Sequence, residues 1–418
     1  MVTGFSPVAS GLTQTNRLRG HYPDSAPRLE RDGPQAVKGY FDQYFREHPE
    51  RIRVVDYSED GSVTIAMYYY VDLQDHDNDL TTTISFIRNP ESLHGVTHNI
   101  VGSTQFGCNH PCLTCKDGLP KSFKGHMVKE HMFDATARII WIADQFAPIA
   151  DDATIELLQT GQGDPLRNGF NVAPFFRHLH LVDSRIVRAY SSTAGALHTL
   201  TEMIDAANVA KGHGIIISCQ FSLHTPFQKE RAIFMPGLNT KVEDLLQAAK
   251  RFHDETNNPA YINYIVIRGW NDSPEHAEAL ARMIPEGCIL KLVALNSVKE
   301  LVGERDDYGN VYVSDINPDL EGTPDIAGKP IHQIQIPKAF QIELTPEEAR
   351  HDVWKFRERI DVCGRGTQIT SPEDKAGIVG ADCGMVSNGK GNNQHKMISV
   401  IRPPLPQNFR FIPELIAA

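Results

Sequence analysis

Three cysteines stand within eight residues in the run Gly107-Cys108-Asn109-His110-Pro111-Cys112-Leu113-Thr114-Cys115, with spacing C-x3-C-x2-C. Three thiolates on one short loop can wrap a corner of a cubane iron–sulfur cluster and ligate three of its four irons. The missing fourth ligand is informative. A cluster that only carries electrons closes all four irons, whereas one that does chemistry keeps an iron open. The same residues also allow a zinc site completed by His110 or His126. Zinc prefers paired C-x2-C knuckles, and no second knuckle exists here, so the spacing favours the cluster. The other four cysteines, Cys219, Cys288, Cys363 and Cys383, are scattered, and a total of seven is odd. That is not the pattern of a secreted disulfide scaffold.

Such a loop needs a rigid frame, and the chain is large enough to build one. Its 418 residues are 41% hydrophobic and 22% charged, which excludes a collagen-like, low-complexity or disordered chain. A formal charge of -11 argues against broad, sequence-independent phosphate binding. Met1 to Arg19 has no continuous apolar stretch, and runs such as Ile139–Ala143 are too short to span a bilayer. The expectation is a soluble, cytoplasmic protein with no membrane partner.

Along the chain, Pro34–His48 reads as a short helix in a loose arm. Val63–Val71 and Thr81–Ile87 are rich in Thr, Tyr, Ile and Val, which favours strands. After Gly102 the pattern alternates. Thr154–Leu158, Ile186–Tyr190, Gly214–Ser222, Tyr261–Ile267 and Cys288–Leu295 read as buried strands. Lys129–Gln145, Gly195–Ala210, Val242–Thr256 and Pro274–Ile284 read as helices. Ser273-Pro274 and Thr345-Pro346-Glu347-Glu348 are helix starts, the second with a capping-box glutamate. Gly303 to Gln341 reads as loops with short strands, followed by a helix and a strand ending near Val362 and a Gly-rich segment, Gly377–Asn393. Strand–helix alternation of this length predicts a parallel sheet, open or curled into a partial barrel.

The cysteine spacing ahead of a (β/α) array resembles the radical S-adenosylmethionine (radical SAM) superfamily. Further segments resemble one branch, the RlmN/Cfr family of RNA adenine methyltransferases. Gly161-Gln162-Gly163-Asp164-Pro165-Leu166-Arg167-Asn168 is similar to its Gly-Glu-Pro-Leu-x-Asn, and Ser192-Thr193-Ala194-Gly195 to its Ser-Thr-Ser-Gly. Ser222-Leu223-His224, Asn271-Asp272, Leu295-Asn296 and Ala381-Asp382-Cys383-Gly384 match later pieces in the same order. The match runs from about Ser58 to Met385. It implies an α/β fold, a partial (β/α)6 barrel of the radical SAM type, with an N-terminal β-rich extension and a C-terminal cysteine-bearing extension. The expected divisions are 1–50 (arm), 51–96 (β-rich extension), 97–300 (barrel) and 301–418 (C-terminal extension with the Cys383 loop). The implied cofactors are a [4Fe-4S] cluster on Cys108, Cys112 and Cys115, and S-adenosylmethionine (SAM). Gly163 would admit the cofactor to the backbone, and Asp164 would accept from its ammonium. Ser192, Ser222, His224 and Asn296 would bond its carboxylate, ribose or adenine. Without the cluster, these residues read as an ordinary turn, a helix cap and a loop histidine.

In that family the cysteine matching Cys383 carries a methyl group, and a second cysteine seven residues before the cluster loop resolves the product. Val101 stands there. The family's glutamate base on the preceding strand is also missing from Thr81–Ile87. The expected function is therefore a radical SAM enzyme that cleaves SAM to a 5'-deoxyadenosyl radical for C–H abstraction, with or without methyl transfer. Its substrate would be other than rRNA: a small molecule, nucleotide or peptide. An external one-electron reductant of the flavodoxin or ferredoxin type is implied. The alternatives are an RNA adenine methyltransferase with a rearranged thiol and base, and a non-catalytic Fe–S or zinc-binding protein. Cys383 reads equally as a catalytic thiol and as a buried structural one. Cys363, expected on a strand, could replace the resolving thiol if the two Cα atoms approach within about 7 Å.

Overall fold

The computed structural model describes residues 54–57, 64–70, 81–89, 97–110, 112–115, 123–146, 149–235, 238–295, 303–305, 311–313, 335–336, 338–341, 344–363 and 368–370. Asn296, Cys383, the N-terminal arm and the Gly-rich segment lie outside these residues. Ten strands make one sheet. Its order is β1 (Val54–Tyr57), β2 (Thr64–Tyr70), β3 (Thr81–Asn89), β4 (Thr97–Val101), β7 (Thr154–Gln159), β8 (Ile186–Thr193), β9 (Ile216–Ser222), β10 (Ala260–Val266), β11 (Cys288–Ala294) and β15 (Gln368–Thr370). The pairings from β1 to β4 are antiparallel. From β4 to β15 every pairing is parallel. Among the described residues no pairing joins the two edges of this sheet.

Burial explains why these segments settle as strands. In β7, Ile155, Leu157 and Gln159 are buried while their neighbours are half-buried, and β11 repeats that period of two. The fully buried face packs under helices α1 (Lys129–Phe146), α2 (Gly169–Arg177), α3 (Leu200–Gly212), α5 (Val242–Thr256), α6 (Pro274–Met283) and α7 (Pro346–Val362) in one continuous core. Helix α4 (Gln228–Phe234) instead joins a smaller apolar cluster with the 338–341 turn. The cap signals fold as written. Ser273 accepts from the His276 amide, and Thr345 and Glu348 form a reciprocal capping box.

Two small sheets complete the order. Strands β5 (Gln105–Phe106) and β6 (Gly125–His126) pair beside the cysteine loop, and β12 (Gly303–Arg305), β13 (Val311–Val313) and β14 (Gln335–Ile336) form an antiparallel trio. Four details differ from the sequence reading. Strand β4 intervenes between the Thr81 strand and the cysteine loop. Helix α3 starts at Leu200 instead of Gly195, and the short helices α2 and α4 are additional. Helix α7 runs through Val362, so Cys363 is its C-terminal cap and an exposed thiol, not a strand residue; the strand follows as β15. The two extra helices escaped for physical reasons. Helix α2 contains Pro174, and α4 spans only seven residues, too few to show a period.

Phe356 ties α7 to the sheet. It is 1% exposed and stacks on Tyr264 with ring centroids 5.4 Å apart. Phe356→Ala is expected to cost about 3–5 kcal/mol of stability, read from urea unfolding. A loss within experimental error would contradict the place of α7 in the core.

Candidate functional site

The cysteine loop sits where the parallel strands end. Cys108 is buried, Cys112 and Cys115 are half-buried, and none is in a disulfide. A turn closes the last two, with the Cys115 amide donating to the Cys112 carbonyl at 3.0 Å. Between them Leu113 acts as the anchor. Its amide donates to the Phe234 carbonyl at 3.0 Å, and its side chain is buried with Phe234, Met235, Ile267 and Phe340.

The lead-in to this loop is locked to the segment after β7. The Gln162 amide donates to Ser103 Oγ at 2.9 Å, and the Gln162 carbonyl accepts from Thr104 at 2.9 Å and from Gln105 at 3.2 Å. Its side-chain Oε1 accepts from the Gly107 amide at 3.2 Å and from Thr82 Oγ1 at 3.0 Å. Gln162 therefore holds the residue just before Cys108, a role the sequence did not show. Gly163 has φ +95°, and a Cβ there would lie 2.5 Å from Gln105 Cγ. In this structure the glycine answers to that backbone conformation and to the Gln105 side chain.

Asp164 is buried and fully engaged by the protein. Oδ1 accepts from the amides of Leu166 at 2.9 Å and Arg167 at 3.2 Å; Oδ2 accepts from Thr193 Oγ1 at 2.8 Å and the Ala194 amide at 2.7 Å. His110 Nε2 lies 3.3 Å from Oδ2, but off the line of a hydrogen bond. Burial alone would raise the carboxyl. Its interaction with His110 and the donors from Ala194 and Thr193 prevail, and hold it below the ordinary carboxylate range. The carboxylate thus joins the cysteine loop to the end of β8. Asn168 makes a parallel link, donating from Nδ2 to the carbonyls of Thr104 and Met127, both at 2.7 Å.

Ser192 and Ser222 fall on one face. Ser192 is level with Gln220 across β8 and β9, and Ser222 is level with Asn263 across β9 and β10. Residues level in a parallel ladder, and residues two apart on one strand, share a face. Asn263 Nδ2 donates to Gln220 Oε1 at 2.8 Å, which leaves Gln220 Nε2 and Asn263 Oδ1 unpartnered. His224 follows in a left-handed conformation, φ 60°, and is buried against Phe234 at 4.7 Å between ring centroids. Its Nδ1 accepts from the Ile265 amide at 3.1 Å. Burial, with Arg231 adding to it, pushes His224 down to about 3. The ring is neutral at neutral pH, and its remaining proton makes Nε2 a donor. His126, beside Gln105, is likewise pushed down to about 4, first by burial and then by Arg167 and His198.

Behind this row lies Arg231 of α4, a residue unread in the sequence. Its guanidinium donates to the carbonyls of Thr240 at 3.0 Å, Ala194 at 2.5 Å and Ser222 at 3.3 Å. Burial lowers it to about 10, against the pull of Cys112, so it stays charged at neutral pH.

Among the described residues no three His, Cys, Asp or Glu side chains are placed to hold a single ion. A cubane sets each thiolate on a different iron, and the three thiols of Cys108, Cys112 and Cys115 on one loop suit that arrangement.

Comparison with known proteins agrees in part. No protein-family model matches the chain. It is 27% identical over 219 residues to a probable dual-specificity RNA methyltransferase RlmN of Clostridioides difficile, covering 50% of this chain and 58% of that protein. A similarly named protein of Streptococcus mutans is 28% identical over 270 residues, covering 63% of this chain and 68% of its own length. The chain spans less than two thirds of the length of the first of these relatives. A crystal structure of a radical SAM methyltransferase from Sphaerobacter thermophilus superposes with TM-score 0.55 at 17% identity, covering 89% of this chain and 92% of that one. The likeness shows a shared fold. The chain resembles the radical SAM superfamily, and within it RlmN.

Gly163→Ala is expected to cost about 1–3 kcal/mol and to lower iron content after reconstitution, because Gln105 must move. Unchanged melting and iron content would show that the loop tolerates the shift. The two depressed histidines set a pH dependence. Below the ordinary value of 6.5 the unfolded chain takes up protons that the folded rings refuse, down to about 4 for His126 and about 3 for His224. Stability should fall as pH drops through that window, by at most about 1.4 kcal/mol per pH unit for each ring. Urea midpoints across the window test this, and His126→Gln should flatten the slope by roughly one proton.

Proposed function

We propose that the chain is a radical SAM enzyme whose cluster is carried by Cys108, Cys112 and Cys115. The observation that carries this reading is three thiols, none of them disulfide-bonded, on one loop locked to the carboxyl ends of a parallel sheet. Parallel sheets bind their ligands at those ends. When bound, the cluster and SAM together supply a 5'-deoxyadenosyl radical able to abstract hydrogen from C–H bonds.

The chain's own residues orient the reactants. Ser192 and Ser222 offer hydroxyls on one face, and His224 offers an Nε2 proton that stays in place at neutral pH because the ring does not charge. Asp164 holds the Ser192 segment against the cysteine loop by accepting from Thr193 and Ala194. Gly163 keeps the turn in the conformation that Asp164 needs. Asn296 would complete the set from beyond β11, and Cys383 would stand near the reacting carbon as a methyl carrier, hydrogen donor or covalent anchor. The electron would come from an external flavodoxin- or ferredoxin-like reductant.

For the substrate, the reading is a molecule other than rRNA. Val101 supports it. This residue ends β4 level with Leu158, which is level with Tyr190, so valine lies on the face of Ser192 and supplies no thiol. Strand β4 brings no carboxylate either. On that face Glu156 is already paired, 3.4 Å from Arg188 and within 3.3 Å of the Tyr190 hydroxyl. The charge of -11 points the same way. A second reading, an RNA adenine methyltransferase with a rearranged thiol and base, is favoured by the names of the relatives.

Anaerobic reconstitution followed by assay for 5'-deoxyadenosine tests the main reading. The wild type should release it, and Cys112→Ala should abolish both cluster and product. No SAM cleavage by a fully loaded protein with reductant overturns the enzyme. The substrate is tested by RNA affinity against salt: a non-RNA enzyme should show a flat response, whereas a steep fall in log K with log salt favours the second reading.

A further inference from the structure

Arg231 is 1% exposed, and none of its acceptors is a carboxylate. Its Nε is buried without a partner. A guanidinium in this position is poorly compensated, since a buried charge is stable only when an opposite charge answers it. Three carbonyl dipoles answer part of it. The helix of Arg231 is bonded to the cysteine loop, the Leu113 amide donating to the Phe234 carbonyl at 3.0 Å.

Its acceptors are not scattered. Ala194 belongs to the segment following Ser192, and Ser222 ends β9, so one guanidinium bridges the two stretches proposed to grip SAM. The local backbone is arranged around it. Gly195 has φ +127°, and a Cβ there would stand 3.2 Å from Arg231 Nη2 and 3.3 Å from Thr240 Cβ. Thr240 closes the clasp, its carbonyl accepting from Nη1 and its hydroxyl donating to the Gly195 carbonyl at 2.6 Å.

We propose that Arg231 is a positioning residue with two effects: it sets the Ser192 and Ser222 segments for SAM, and it balances the charge of the thiolate-held cluster. This rests on the radical SAM reading. A cluster on three thiolates is net negative and becomes more so when the external reductant delivers its electron. A fixed cation in a dry site favours the reduced form. Removing it makes reduction harder.

The test compares reconstituted wild type, Arg231→Gln and Arg231→Lys, each checked for folding by thermal unfolding and for iron and sulfide content. Midpoint potential is read by EPR-monitored titration, and SAM affinity by equilibrium dialysis. Arg231→Gln should load a cluster whose reduced-to-oxidised ratio at fixed potential falls about tenfold, equivalent to about 59 mV for one electron. Its Kd for SAM should rise roughly tenfold. Arg231→Lys keeps the charge and should hold the wild-type midpoint. A single ammonium cannot span the same carbonyls, so its Kd should still rise. A glutamine variant with wild-type midpoint and Kd overturns the proposal and leaves the radical SAM reading standing. Should that variant not fold, the lysine variant decides, and an unchanged Kd overturns the proposal. A wild type that takes up no cluster overturns both.

Discussion

Where parallel strands stop, their last amides and carbonyls lose ladder partners and need others. Buried backbone polar groups must be paired, and this requirement organises the candidate site. Gln162, Asp164, Asn168, His224, Arg231 and Asn271 each turn a side chain onto the backbone of a neighbouring loop. Asn271 is representative: it donates to the carbonyls of His224 and Ile265 and accepts from the Ile267 amide, all at 2.7 Å. The loops after successive strands are thereby knitted into one surface. The cysteine loop inherits its position from this network.

Helix α4 shows how much can rest on a short element. Glu230 accepts from Thr225 Oγ1 at 2.6 Å and lies 2.9 Å from His276 Nε2, tying α4 to the start of α6. Arg231 reaches the ends of β8 and β9. Phe234 packs on His224, Trp270 and Phe340 and takes the Leu113 amide. In seven residues the helix thus joins the cap of another helix, two strand ends, the cysteine loop and the 338–341 turn. It also buries a charge, the Arg231 guanidinium, at 1% exposure.

The likeness to RlmN and the departures from it fall on different layers. The segments that match are those the structure uses to hold the loops together, Gly161 to Asn168 and Ser192 to Gly195 among them. The departures fall on strands β3 and β4. Val101 is on the face of Ser192, and the carboxylate on that face, Glu156, is committed to Arg188.

The sequence by itself determined the elements with strong local signals: the buried strands, the long helices, two capped helix starts and the cysteine spacing. Each follows from nearest neighbours, through period, caps and ligand count, so each is legible without a fold. Asp164 and His224 were also visible, but only as polar residues in suggestive places. Tertiary structure decided what they do. The Asp164 carboxylate meets four protein donors drawn from its own turn and from the end of β8, and His224 is made neutral by burial and by a guanidinium seven residues on. Helix α4, Gln162 and Arg231 were invisible for the same reason. Their roles come from contacts with segments that meet only when the strands are side by side, and no local pattern records a partner 37 residues away, as Ala194 is from Arg231.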